Sequence, residues 1–349
     1  MKPPRIAFFD TKPYDRKFFD AAGKKFGFPV TYFEEHLGPG TTALTRGFDT
    51  VCIFVNDVVN ADVIKALHRN GVRLIALRAS GYNNVDFRAA FGKIHVVRVP
   101  AYSPHAVAEH AVALMLALNR KTHRAYHRTR DNNFSIQGLL GFDMFGKTAG
   151  VIGTGAIGRE LIRILKGFGM HVLAYDPGPD EAFAAEAGFS YTDLKTLYKK
   201  SDVISLHCPL TRQTYRMINA KTIQTMKTGV MIVNTGRGKL IDTRALIEAL
   251  KNKKVGYAGL DVYEEENEYF FEDFSSDVIS DDVLARLLTF PNVLVTAHQG
   301  FFTQEALTNI ARTTLQNIDD FVRGRLLTHE ICYRCSRKVC VKKTKGKCF

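Results

Sequence analysis

The sequence predicts an α/β protein of two lobes, each built on a doubly wound parallel sheet. Three observations carry this. Short apolar strand patterns alternate with helical ones along most of the chain, as parallel sheets covered by helices on both faces require. A glycine-rich strand–turn–helix lies near the middle of the chain, at residues 149–158, with a hundred residues of α/β pattern before it. The 349 residues, 46% hydrophobic and 24% charged, suffice for two domains with ordinary cores.

The first lobe begins with strand patterns at 5–9, 30–33, 50–55, 74–77 and 95–99, separated by helical segments such as 61–70. A longer helix is predicted over 102–121. Ser103 is a good N-cap and Pro104 suits the first helical position. Val107, Ala111, Leu114, Met115 and Leu118 form its apolar face, and its length suits a connection between lobes. His123 and His127 follow one turn apart, a spacing that can bind metal. Arg124, Arg128 and Arg130 surround them and would repel a cation, so this is read as a solvated helix face.

Residues 149–152 are an apolar run leading into Gly153, Gly155 and Gly158, a G-x-G-x-x-G. Ile157, Leu161, Ile162, Ile164 and Leu165 then recur at helical spacing. Gly167 and Gly169 end that helix, and 171–175 reads as a second strand closing on Asp176, 23 residues after Gly153. Each part has a job in holding a dinucleotide. Gly153 permits the tight turn, Gly155 lets the backbone approach a pyrophosphate, and Gly158 lets helix and strand pack closely. Ala156 and Ile157 open the helix, whose N-terminus presents N–H groups and a positive dipole end to the phosphates. Asp176 can accept both ribose hydroxyls and would repel a 2′-phosphate. The unit is thus a Rossmann-type NAD lobe.

Further strands are predicted at 203–207, 230–234, 256–260 and 293–296, and a last helix at 303–323 that returns to the first lobe. The expected division is 1–102 plus 300–331 for a discontinuous substrate lobe of flavodoxin-like winding, 103–299 for the nucleotide lobe, and 332–349 for a tail. Ligands of open α/β sheets bind beyond the carboxyl ends of the strands. In the nucleotide lobe those ends carry His207, Cys208 and Pro209; Thr235, Gly236, Arg237 and Gly238; Asp261; and His298. In the first lobe they carry Asn56, then Arg78 to Gly81, then Tyr102. Two such edges facing each other would make an active-site cleft.

Charge and cysteines exclude other classes. The formal net charge is +13, but seven basic residues and no acidic one lie in 331–349. The body keeps only +6, too little to read it as a nucleic-acid binder. The N-terminal apolar run is short and ends at Asp10, unlike a secretory signal. The longest apolar helical stretch, 110–118, is too short for a bilayer. A cytoplasmic protein without membrane partners is expected. Cys52 and Cys208 lie in strand-like runs and read as buried thiols, which suits a reducing compartment. Cys332, Cys335, Cys340 and Cys348 lie in the tail. One pair has the C-x-x-C spacing of zinc and redox motifs, but the other gaps fit no ligand pattern and no histidine lies among them. The tail is read as a mobile basic segment, and no metal is expected.

With NAD across the second lobe, reduction of a 2-oxo acid needs a cation and N–H donors for the substrate, a proton donor, and a group that keeps the donor protonated. Arg237, between Gly236 and Gly238, supplies a planar, permanently charged fork. The Ser80-Gly81 turn adds backbone N–H groups. His298 can be the proton donor, since an imidazole in general gains and loses its proton near the working pH. A carboxylate among Glu264, Glu265 and Glu266 can stabilise its imidazolium. Alone, an arginine in a glycine loop is ordinarily solvated and a histidine at a strand end ordinarily structural. Together, at strand ends beside a dinucleotide motif, they point to catalysis.

These residues resemble those of the NAD-dependent D-2-hydroxyacid dehydrogenases, and within them most closely the fermentative D-lactate dehydrogenases of bacteria. The likeness covers roughly 5–330. It rests on VCIFVND (51–57), IALRASGYNNVD (75–86), VVRVPAYSPHAVAEHAV (96–112), GKTAGVIGTGAIG (146–158), DVISLHCPLT (202–211), MIVNTGRG (231–238), GLDVYEEE (259–266) and NVLVTAHQGF (292–301). The resemblance implies that Arg237 and His298 are catalytic. It also selects Glu266, the fifth residue after Asp261, as their acidic partner. It implies that Asp176 holds the adenosine ribose, that Asp261 lies near the nicotinamide, and that His207, Cys208, Pro209, Thr235 and Gly236 line the cofactor site. Ser80, Gly81 and Tyr102 would hold the substrate, with Phe301 near its small side chain. Glu266 and His298 are 32 residues apart, and the intervening NEYFFEDFSSDVISDDVLARL looks like the D-lactate dehydrogenase insertion. Reduction of pyruvate to D-lactate and a homodimer or homotetramer are implied. A bulkier 2-oxo acid, or an NAD-sensing corepressor-like binding role, remains open at this stage. The tail after Glu330 matches nothing in the family.

Overall fold

Strands made of apolar residues become buried on both faces of a parallel sheet, and the central strands of this chain follow that rule. A computed structural model describes residues 3–265, 269–335 and 342–349. It divides into two compact units, Met1–Ser103 with Phe302–Phe349, and Pro104–Phe301.

The first unit holds β1 (Ile6–Phe8), β2 (Val30–Tyr32), β3 (Thr50–Ile53), β4 (Leu74–Leu77) and β5 (His95–Arg98). They are parallel, in the order β2-β1-β3-β4-β5. Every residue of β1, β3 and β4 is buried. Helix Gln304–Val322 belongs to this unit, capped by the Thr303 hydroxyl on the Ala306 N–H at 3.2 Å. Its polar face is bonded to the strand exit: Asn317 Nδ2 donates to the Arg98 carbonyl (2.9 Å) and Asn309 Nδ2 to the Tyr102 carbonyl (2.8 Å). The tail departs from the unstructured segment that its composition predicts. Among its described residues, Phe349 stacks on His95 with ring centroids 4.2 Å apart, and Cys348 is buried. The average basic composition hides one terminal aromatic and one terminal thiol that can cover the edge of the sheet.

The second unit holds β6 (Thr148–Ile152), β7 (His171–Tyr175), β8 (Ser190–Tyr191), β9 (Val203–Leu206), β10 (Val230–Asn234), β11 (Val255–Leu260) and β12 (Val293–Val295). All pairs are parallel, in the order β12-β11-β10-β9-β6-β7-β8. The winding reverses between β6 and β9, and the crevice at their carboxyl ends is where such a sheet takes a ligand. One face packs Leu114 and Met115 of helix Pro104–Arg120 and Leu161 and Ile162 of helix Ala156–Gly167 against Val151 and Val233. The other packs Leu246 and Leu287 against Ile204, Ile232 and Ala258. Gly259 lets the long helix come close, since a Cβ there would meet Leu118 at 3.1 Å and Leu114 at 3.2 Å. The short β8 was not predicted; two residues are too few to show a period. No described helix is long and apolar enough to cross a membrane.

Candidate active site

At the end of β6 the chain turns through Gly153 with φ +98°. A Cβ there would lie 2.6 Å from the His207 carbonyl group, just beyond β9. The Gly153 N–H donates to the Tyr175 carbonyl at 2.8 Å, so the turn is clamped across β6, β7 and β9. Gly158 has no room for a side chain either, because its Cβ would run into the Gly153 carbonyl oxygen. Gly155 differs: nothing lies within 4 Å of its would-be Cβ. Two glycines are thus demanded by internal packing, and the third faces open space beside the exposed Ala156 at the helix start. Ile157, by contrast, is partly buried against the core of the unit.

A cavity of about 1130 Å³ lies over this turn, lined by Gly153, Gly155, Asp176, His207, Cys208 and Pro209 among others. Asp176 is fixed at its rim: one carboxylate oxygen accepts the Thr154 N–H (2.8 Å) and the other the Gly178 N–H (2.9 Å). His207 Nε2 is 2.8 Å from the Ser205 hydroxyl. Burial pushes its pKa down to about 4, so it is a neutral hydrogen-bonding group at pH 7. Burial likewise pushes the Cys208 thiol up to about 11, which makes it an apolar wall and not a nucleophile. Beyond β10, the Thr235 hydroxyl is buried with no hydrogen-bond partner among the described residues. Such a group costs about 1–3 kcal/mol unless a ligand satisfies it.

Asn234 organises the turn that presents Arg237. Its Oδ1 accepts the Gly236 N–H (3.0 Å) and its Nδ2 donates to the Arg237 carbonyl (2.9 Å). Gly238 is obligatory, since a Cβ would collide with the Tyr263 carbonyl. Arg237 is half-buried, and among the described residues its guanidinium makes one hydrogen bond, from Nη1 to the Gly236 carbonyl at 2.7 Å, which leaves most of its N–H groups for another partner. Among the described residues no carboxylate pairs with it.

His298 lies beyond β12 with φ +51°, a conformation that a β-carbon makes costly. Its N–H donates to the carbonyls of Asp261 (2.8 Å) and Thr296 (3.1 Å). Asp261, just beyond β11 and 1% exposed, organises the whole loop. One carboxylate oxygen accepts the Thr296 hydroxyl (2.5 Å) and the Gln299 N–H (2.8 Å), and the other the Gly300 N–H (2.8 Å). His110 Nε2, from the long helix, lies 3.2 Å from the first oxygen. Burial opposes the charge on Asp261, but the hydrogen bonds from His110 and Thr296, aided by both imidazoles, outweigh it and hold the carboxyl below its usual range. The Phe271 ring lies 6.0 Å from the His298 ring and 6.3 Å from that of the buried Phe301.

Of the three candidate acids, Glu264 is engaged elsewhere. It holds Arg216 Nε at 3.0 Å and accepts the Thr243 N–H at 2.9 Å. Glu265 lies 3.6 Å from Lys239. Glu266 lies outside the described residues. In the first unit, Ser80 and Gly81 follow β4. The Ser80 carbonyl accepts Arg98 Nη1 (2.6 Å) and its hydroxyl donates to the Pro100 carbonyl (3.2 Å). Arg78, at the same strand end, is a buried peg. It lies between the Phe8 and Phe54 rings at 4.5 and 4.6 Å and donates to the carbonyls of Phe9 and Asp10. Tyr102 is partly buried at the exit of the same unit.

A family model for the NAD-binding domain of D-isomer specific 2-hydroxyacid dehydrogenases matches residues 112–300. Across 329 residues, 94% of this chain and 99% of the other, the sequence is 54% identical to D-lactate dehydrogenase of Escherichia coli K12. The chain belongs to the D-isomer specific 2-hydroxyacid dehydrogenase family. Its fold is similar to that of the pyruvate reductase of Chlamydomonas reinhardtii, with a TM-score of 0.88 at 46% identity over 93% of this chain and 98% of that one. It is also similar to D-lactate dehydrogenase with NAD+ from Lactobacillus jensenii, with a TM-score of 0.79 at 32% identity over 94% and 99%.

As a D-isomer specific 2-hydroxyacid dehydrogenase the chain is an NAD-dependent oxidoreductase, and its residues fit that cofactor. The open Gly155, the helix N-terminus, the rim carboxylate of Asp176 and the unpartnered Thr235 hydroxyl are what a dinucleotide would engage. Two residues that matter here were missed from the sequence. His110 sits inside a helix where only its apolar neighbours carry a pattern. Phe271 lies in the insertion, with no spacing to tie it to His298.

Proposed function

We propose that this dehydrogenase reduces pyruvate reversibly to D-lactate with NADH, as in fermentation. What supports this most is that the likeness to a D-lactate dehydrogenase runs along nearly the whole of both chains, so it takes in the substrate residues as well as the cofactor motif. Bound NADH supplies the hydride. Arg237 binds the carboxylate and carbonyl of the substrate, and its lack of a carboxylate partner among the described residues supports that role. His298 donates the proton to the nascent alkoxide, and Glu266 keeps it protonated. Asp261 positions His298 through the 296–300 loop. Ser80, Gly81 and Tyr102 are substrate contacts from the first unit, and Phe301 limits the size of the side chain.

The test is NADH oxidation by the purified chain with pyruvate, followed by chiral analysis of the product. Rapid turnover to D-lactate is expected. Turnover only with larger 2-oxo acids would replace the substrate, and silence on all of them with NADH still bound would favour a sensing role. Replacing His298 by Asn should abolish reduction and leave NADH binding intact.

A homo-oligomer in the cytoplasm completes the reading. Phe134, Ile136 and Leu140 are each at least 74% exposed on the segment after helix Thr122–Arg130. Apolar side chains at that density favour a second copy as partner. Light scattering on the eluting protein would give the number of chains, and a monomer would refute this part.

A further inference from the structure

We infer that the C-terminal segment carries a metal site in which Cys332, Cys335 and Cys348 hold a thiophilic divalent cation of the zinc class as thiolates. The three sulfurs lie within 4.8 Å of one another. The Cys335 sulfur is 3.8 Å from that of Cys332 and 3.9 Å from that of Cys348. A tetrahedral zinc with Zn–S bonds of about 2.3 Å sets its sulfur ligands about 3.8 Å apart. The spacing is that of a coordination edge, nearly twice the roughly 2.0 Å of a disulfide. A disulfide between any two would also strand the third.

Backbone N–H groups reach two of the three sulfurs. The Cys332 N–H donates to the Cys335 sulfur at 3.1 Å, and the Arg334 N–H to the Cys332 sulfur at 3.4 Å. Backbone donors of this kind orient sulfur ligands and offset their charge. Sulfur ligands select zinc-class ions over magnesium or calcium, which want oxygen.

The fold supplies the third ligand. Glu330, 1% exposed, accepts the Cys348 N–H at 2.5 Å through one carboxylate oxygen and holds His95 Nδ1 at 2.5 Å with the other. Phe349 stacks on that same imidazole. The end of the chain is thereby pinned to the first unit at β5, and Cys348 is delivered to a C-x-x-C 13 residues earlier in sequence. Cys335 is exposed, so the ion has a route from solvent, and one coordination position is left for a further donor. None of the three thiols belongs to the candidate active site.

The test uses the full chain, reduced, stripped with a chelator, given zinc, and desalted before elemental analysis. One zinc per chain is expected. Cys332→Ser, Cys335→Ser and Cys348→Ser should each fall close to zero, while Cys52→Ala, at a cysteine of β3 outside both the tail and the cofactor cavity, keeps the metal. Cobalt(II) in place of zinc should give an intense thiolate-to-cobalt charge-transfer band in the parent, lost in the same three variants. Far-UV circular dichroism and NADH binding, both independent of the tail, show that each variant is folded. A parent that retains no zinc would overturn the assignment. So would zinc retained in all three serine variants, or a cobalt spectrum without the thiolate band.

Discussion

Replacing Asp261 by Asn separates a positioning role from a cofactor-binding one. The side chains are nearly isosteric, so the effect reports hydrogen bonding and charge. An Asn carbonyl can take the place of the oxygen that serves the Thr296 hydroxyl and the Gln299 N–H. Its amide nitrogen then faces the Gly300 N–H across 2.8 Å, donor against donor. The buried N–H left over costs about 1–3 kcal/mol, and the remaining bonds drop from charge-assisted to neutral strength, about 1 kcal/mol each. The expected destabilisation is about 3–5 kcal/mol, a large share of the roughly 5–15 kcal/mol of an ordinary domain. Urea unfolding followed by far-UV circular dichroism at pH 7 reads it. The Asp261 carboxyl titrates below its ordinary range. Its contribution is therefore full above the unfolded value of about 3.9 and is lost as pH falls through the lower folded value, so the gap between parent and variant should close in acid. Gly300 must also back away from the amide, and the loop carrying His298 moves with it. A displacement near 1 Å costs about a hundredfold in rate, so kcat for pyruvate should fall on that order while the Kd for NADH changes less than about threefold. Unchanged stability together with lost NADH affinity would refute the reasoning.

Three further outcomes follow from the same geometry. Asp176→Ser should weaken NADH binding about tenfold and narrow the preference over NADPH, measured as the ratio of kcat/KM for the two cofactors, because the rim loses its negative charge. Gly153→Ala adds strain at φ +98° and a 2.6 Å collision with the His207 backbone, so NADH binding and thermal midpoint should both drop sharply, whereas Gly167→Ala, with nothing within 4 Å, should leave both intact. His207 has a folded pKa of about 4 against an ordinary 6.5 because of burial. Its contribution is full above pH 6.5 and is lost as pH falls toward 4, by at most about 3 kcal/mol, and His207→Asn should flatten that part of the stability–pH curve.

What could be read from the sequence was what is local in it. Gly153 and Gly158 are sterically compulsory and stand five residues apart, so their pattern states the turn directly. Most strands of both sheets are largely apolar runs, legible for the same reason, whereas the two-residue β8, Ser190–Tyr191, has no run to show. Arg237 and His298 could be singled out because strand ends are the reactive edge of such a fold. Asp261 was legible as a strand end but not as a clamp, since its partner His110 is 151 residues away on a helix. Residue type alone leaves Glu264 equal to Glu265 and Glu266, and the resemblance selects Glu266; that Glu264 holds Arg216, 48 residues earlier, is a contact no spacing shows. The tail shows the same limit: the C-x-x-C pair is visible in the spacing, but Cys348 joins it only through Glu330, His95 and Phe349.

The two halves of the chemistry are held in different ways, and this has a physical reason. A dinucleotide is bound by backbone, so its site is specified by which residues lack side chains, and Gly155 is effective because nothing stands near it. A proton donor must instead be aimed, and His298 starts from an unfavourable φ of +51°. That conformation costs about 1–2 kcal/mol and persists only where the surroundings over-determine it. Asp261 does so by fixing the residues on both sides of His298, at Thr296 and at Gln299 and Gly300, while His110 fixes Asp261. This predicts an order of sensitivity: substitutions at His110 and Asp261 should act on kcat through the angle of the donor, and those at Gly155 and Asp176 on Kd through the fit of the cofactor. A His110→Ala variant that weakened NADH binding and left kcat alone would reverse that order and show that the clamp serves the cofactor instead.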